Sequence, residues 1–156
     1  RTGLNYPEWL ENFKQGVSRA THRRQMRLDF TLTLPGMFEV LPMVKLAREL
    51  DVDILAKVVF SFSPDIVLSP LALPRSILNK WVDELLPDTH GAMHDVLQQL
   101  KSRPTFEQQW PNEYKQGLAK GKARVLKLES IRTQSTTMDE ILSKRPDVYE
   151  WWNQIS

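Results

Sequence analysis

The chain has 156 residues, 41% of them hydrophobic and 26% charged, with a formal net charge of +2 and no cysteine. That is enough apolar material for a folded core and argues against disorder. No run reaches the roughly 18 apolar residues of a membrane span, and so mild a positive charge does not call for a nucleic-acid partner.

Without cysteine, these residues can form no disulfide, thiolate zinc site or cysteine-held iron–sulfur cluster. The polar segment at Arg1 does not read as a signal peptide, so a cytoplasmic protein is expected. A start at Arg1 rather than methionine leads to the expectation that this is the later part of a longer protein.

Tyr6, Trp9, Leu10, Phe13, Val17 and Ala20 recur at helical spacing, with Pro7 placed for a first turn. That helix is expected to end near His22, Arg23 and Arg24. From Met26 to Leu34 the pattern alternates. Met26, Leu28, Phe30, Leu32 and Leu34 point one way, and Arg27, Asp29, Thr31 and Thr33 the other. Pro35 and Gly36 close this strand. Phe38, Leu41, Val44, Ala47 and Leu50 then form the stripe of a second helix, and Pro42 suits its first turn.

A second strand is expected from Val52 to Ser63. Ile54, Ala56, Val58, Phe60 and Phe62 share one face, and Leu55, Lys57, Val59, Ser61 and Ser63 share the other. Both strands therefore carry one apolar and one mixed face. A two-sided parallel sheet would read apolar throughout, so the mixed faces point to a partial barrel with a solvated interior. A Pro- and Ser-rich loop runs from Ser63 to Pro74, long enough to be functional. Pro74 opens a helix carrying Ile77, Leu78, Trp81, Val82, Leu85 and Leu86. Beyond Pro87 only helices are expected: His90–Leu100, Phe106–Leu128, and short pieces at Asp139–Leu142 and Val148–Ile155.

The expected fold is α/β: parallel β-α units of a partial (β/α) barrel over residues 1–88, then a mostly helical extension over 89–156. Barrels of this kind place their chemistry at the carboxyl ends of the strands.

Several segments support a family resemblance. "RTGLNYPEWLENFKQG" resembles the Arg-x-Gly-x-x-Tyr segment and helix before the fifth strand of radical S-adenosylmethionine (SAM) enzymes. "FTLTLPGMFEVLPMVKLARELDVDILAKVVF" is similar to the strand, turn, helix and strand that follow it there. "SPLALPRSILNKWVDELL" matches a frequent loop-then-helix continuation. "KLESIRTQSTTMDEILSKRPDVYEWW" resembles the closing stretch of the group with a short twitch-type C-terminal extension. The family's CxxxCxxC motif is not in this sequence, and Pro35-Gly36 stands where the family turn has asparagine. The resemblance therefore implies that SAM and a [4Fe–4S] cluster belong to the parent protein. Its cluster ligands would lie in an N-terminal barrel half that would be this chain's partner.

On that resemblance Thr31, Thr33 and Ser61 become candidate SAM-binding residues, as neutral hydroxyls near the carboxyl ends of their strands. The same residues also suit any half-polar sheet face. Asp29 and Lys57, mid-strand on the mixed faces, either pair across the interior or touch an unknown substrate. Arg27 lies at the wrong end of its strand for a site. His90 and His94 have chelating spacing without an evident third ligand, so no metal is assigned. Lys115, Lys120, Lys122, Arg124 and Lys127, with Gly117 and Gly121 among them, read as a solvated face or as a phosphate or RNA contact. Of Trp151 and Trp152, one is expected to dock the tail and the other either to be half exposed, as a protein contact, or to pack in the core, and core packing is the preferred reading. No residue is assigned a catalytic role, because there is no nucleophile elbow, glycine-rich phosphate loop or HExxH sequence.

The functional expectation is a C-terminal part of a radical SAM enzyme that supplies one wall of the SAM and substrate cavity. The alternatives are a non-catalytic α/β partner or regulatory module, and a basic phosphate- or RNA-binding domain. Neither a membrane nor nucleic acid is an expected partner of the first reading.

Overall fold

A computed structural model describes residues 4–59, 63–132 and 136–156. Helix α1 (Tyr6–Arg19) starts at Asn5, whose side chain accepts the Glu8 N–H at 3.3 Å, with Pro7 and Glu8 in the first turn. Strand β1 (Arg27–Leu32) alternates strictly between exposed and buried residues. A 3₁₀ turn at Pro35–Glu39 leads into α2 (Val40–Leu50). Asp51 closes α2 in the left-handed conformation, φ 50°. This is a C-terminal position where an aspartate's short side chain lowers the steric cost. Strand β2 (Asp53–Val58) then pairs parallel with β1, Arg27 beside Asp53 and Leu32 beside Val58.

Among the described residues six further α-helices follow: α3 (Arg75–Leu85), α4 (Gly91–Ser102), α5 (Phe106–Gln109), α6 (Tyr114–Ser130), α7 (Met138–Leu142) and α8 (Pro146–Gln154). The fold is a helix-rich α/β arrangement around a two-stranded parallel sheet. Two boundaries differ from the sequence expectation. The described part of β2 ends at Val58, while Phe60, Ser61 and Phe62 lie outside the described residues. The long helix expected over Phe106–Leu128 is broken after Gln109, and Pro111 lies in the break, where it cannot donate to a continuing helix. No helix among the described residues is long and apolar enough to cross a membrane.

Leu28, Phe30, Leu32, Ile54, Ala56 and Val58 point into the helix layer, where two hydrophobic clusters form. The main cluster draws on residues from both sides of residue 88, from Phe30 and Val44 through Trp81 and Leu97 to Trp152. The smaller one joins Leu28, Ala47 and Val52 to Trp9, Phe13 and Val17 of α1. Helix α1 contributes no fully buried residue, so its apolar stripe is only half covered. Among the described residues nothing covers the opposite face of the sheet: Arg27, Asp29, Thr31, Asp53, Leu55 and Lys57 are all exposed.

The C-terminal helices are tied to α3 by one arginine. Arg145 donates to both carboxylate oxygens of Glu84, at 2.6 and 3.2 Å, and lies 4.7 Å above the Trp81 ring. Its Nε is 3.0 Å from Asp147 Oδ1 in an ion-pair contact, and Lys80 reaches Asp147 at 3.3 Å. Only 15% of the Arg145 side chain is exposed, so this bidentate pair is better shielded from solvent than an ordinary surface bridge. Trp151 and Trp152 are both buried, as the core-packing reading requires. Trp152 Nε1 donates to Asp139 at 2.7 Å, which satisfies its one polar atom.

Two outcomes follow from this anchoring. Trp152→Ala should cost about 3–5 kcal/mol, measured by urea unfolding, because a fully buried ring leaves a cavity. The second concerns acid. The Arg145 hydrogen bond, foremost, holds the Glu84 carboxyl below its ordinary value. Burial would raise Asp147, but the Arg145 charge and its hydrogen bonds outweigh this and lower it. Carboxylates lowered in the folded state stabilise it above their unfolded pKa, and that contribution is lost as pH falls through the folded value. Unfolding free energy should therefore drop below about pH 4, and Glu84→Gln should flatten that drop in a pH series of urea titrations.

Candidate functional site

The carboxyl ends of β1 and β2 carry the polar groups that the sequence singles out. Thr31 lies beside Lys57 in the register, on the uncovered face, and both are exposed. Asp29 lies two residues earlier on the same face and pairs diagonally with Lys57 at 3.4 Å. Both side chains of this pair are more than half exposed, at 57% and 58%, so the ion pair is a solvated cross-strand contact. Thr33 is half-buried, and its Oγ1 accepts the Gly36 N–H at 3.0 Å. That bond pins the Pro35–Gly36 turn, supported by Met37 N–H donating to the Thr33 carbonyl at 3.1 Å. The Thr33 hydroxyl keeps its own proton for one further bond. Ser61 lies outside the described residues.

Beyond β2, residues 63–72 close over these strand ends. Val59 N–H donates to the Leu32 carbonyl at 3.1 Å, and Leu34 N–H donates to the Leu68 carbonyl at 2.6 Å. Ser69, fully buried, donates to the Val59 carbonyl at 2.9 Å while its oxygen accepts the Leu71 N–H at 3.3 Å. A buried hydroxyl with both roles filled is expected of a structural anchor. Tyr114 donates to the Ala72 carbonyl at 2.7 Å, and burial pushes its phenol up to about 12. It therefore stays a neutral donor across the ordinary pH range.

The remaining candidates separate. His94 Nδ1 lies 3.4 Å from Thr89 Oγ1, while His90 is exposed at the start of α4. No group of three His, Cys, Asp or Glu residues suited to a metal exists among the described residues. With no cysteine in the chain as well, its residues do not fit a [4Fe–4S] cluster. In the basic stretch, Lys122 donates to the carbonyls of Trp152 and Ile155 at 2.9 and 3.0 Å, closing the end of α8. Arg124 pairs with Asp65 at 3.3 Å. Lys115, Lys120 and Lys127 remain exposed. A groove of about 870 Å³ runs between α2 and residues 87–90, and none of the residues expected to bind SAM or substrate lines it.

Sequence reasoning missed the structural work of Ser69, Tyr114, Gly117 and Gly121. Only the four-residue glycine spacing carried a signal, since residues that far apart share a helix face. No family model, curated protein or solved structure matches this chain. The resemblance to radical SAM enzymes thus rests on the sequence segments that suggested it.

The Thr33 assignment is open to a direct check. Thr33→Val keeps the shape but removes the acceptor for Gly36 N–H, and should cost about 1 kcal/mol in thermal or urea unfolding. Thr31→Val, on an exposed site, should change stability by less than about 0.5 kcal/mol.

Proposed function

We propose that this chain is one wall of a larger (β/α)-type barrel of the radical SAM kind, lining a SAM and substrate cavity without itself holding the cluster. One observation carries the reading: the parallel pair is covered by helices on a single face, leaving Arg27, Asp29, Thr31, Leu55 and Lys57 open on the other. Doubly wound sheets cover both faces, whereas a barrel leaves one face for its interior. The half-covered stripe of α1 supports the same reading, because Trp9, Phe13 and Val17 join only the smaller cluster and none of them is fully buried. The outer edge of β1 fits too. Leu32 directs its carbonyl toward β2, so by ladder alternation Arg27, Asp29 and Thr31 direct their backbone groups away from it.

In this proposal Thr31 and the free proton of Thr33 supply neutral hydrogen-bond partners to SAM near the strand ends, together with Ser61. Asp29 and Lys57 form a charged pair that meets substrate or stays mutually paired. Neither residue is asked to do chemistry, and no step is assigned through a cluster that this chain's residues do not fit. The basic-domain alternative is weakened, because Lys122 and Arg124 of the basic stretch are engaged within the fold.

The test begins with the coding sequence upstream of the Arg1 codon. An in-frame CxxxCxxC within about 100–150 residues, the size of an ordinary domain, is the expected result. In the full-length protein, Thr31→Val should then weaken SAM binding about three- to tenfold by calorimetric titration. A start codon near Arg1 with no such motif would overturn the proposal and favour a complete, non-catalytic α/β module.

A further inference from the structure

We propose that α6 is a clasp that holds residues 64–72 against the carboxyl ends of both strands. Four residues along one stripe of α6 make it. Tyr114 holds the Ala72 carbonyl at 2.7 Å. At Gly117 a Cβ would fall 2.7 Å from the Pro64 ring and 2.9 Å from its carbonyl carbon. At Gly121 it would collide with the Asp65 carbonyl oxygen and lie 2.6 Å from Val67. Arg124 then pairs with Asp65 at 3.3 Å. Positions 114, 117, 121 and 124 follow the three-and-four spacing of a single helix face.

The two glycines are what make the approach possible. Glycine weakens a helix interior, and here the absent side chains let the helix backbone meet that of residues 64–65, a contact that no other residue type allows. Beyond the notch, the same segment reaches the strands through the Leu34 N–H to Leu68 carbonyl bond and the Ser69 hydroxyl on Val59. Residues 64–72 are thus gripped on one side by α6 and on the other by the ends of β1 and β2. The grip on α6 sets how closely the segment lies over the strand ends. Its bearing on ligand entry at that face rests on the barrel reading above, whereas the clasp itself rests on these contacts alone.

Hydrogen exchange on the chain, followed by mass spectrometry with no ligand present, tests it. Gly121→Ala should speed exchange at Leu34, Ser69 and Leu71 by about tenfold or more, while Leu78, Val82 and Leu97 in α3 and α4 keep their protection. Tyr114→Phe preserves the ring but removes the bond to Ala72. It should speed exchange over residues 69–73 about three- to tenfold, and it serves if Gly121→Ala does not fold. Unchanged exchange at Leu34 and Ser69 in Gly121→Ala, or at residues 69–73 in Tyr114→Phe, would overturn the clasp. So would an equal loss of protection in all elements. Because no SAM enters the measurement, the clasp can stand if the radical SAM reading falls, and the reverse.

Discussion

A parallel pair of strands cannot stand alone, and this chain is organised around that constraint. Parallel strands need a long crossover, and the crossover here returns as α2, which must pack on the face from which it came. Once Leu28, Phe30 and Leu32 of β1 and Val58 of β2 face that helix layer, the period of two forces Asp29, Thr31 and Lys57 to the other side. The open polar face is therefore a consequence of register as much as of any ligand. A slip of one residue in β1 would bury Asp29 and expose Phe30, one in β2 would bury Lys57, and the cost of burying either charge opposes it.

The alternation made this much legible from sequence, since it needs no knowledge of tertiary contacts. Pro35-Gly36 marked the strand end correctly for a similar reason, because turn chemistry is local. What could not be read were contacts between segments distant in the chain. Ser69 reads as an ordinary loop serine until the Val59 carbonyl is placed beside it. Gly117 and Gly121 read as part of a basic, solvated face until residues 64–67 lie against them. Lys122 and Arg124 read as solvated charge, yet one ends α8 and the other holds Asp65. In each case the missing information is which backbone atom arrives from elsewhere.

The C-terminal helices show how charge is used when apolar area is limited. Short helices such as α7 and α8 are marginal alone and depend on tertiary packing. Trp151 and Trp152 supply that packing. Arg145 adds direction, because a planar guanidinium bound to Glu84 and stacked on Trp81 fits in one orientation. The wet side of that cluster is occupied by Lys80 and Asp147, so charge is matched where water can still enter. The tail is consequently fixed to α3, and through Lys122 to α6.

That connection gives the helical region a mechanical role at the sheet. Arg145 fixes α8 to α3, Lys122 fixes α8 to α6, and α6 holds residues 64–72 over the strand ends. The hydroxyl and charged groups at that end thus sit between two kinds of restraint. Thr33 is committed to its own turn on one side, and Ser69 is committed to β2 on the other. Between them Thr31, Asp29 and Lys57 are held only by the strands and remain open. If the face receives a ligand, its edges are preset by backbone bonds, and adaptation falls to those three exposed side chains. Such a division of labour suits a cavity wall, in which position comes from the scaffold and the reacting groups come from elsewhere.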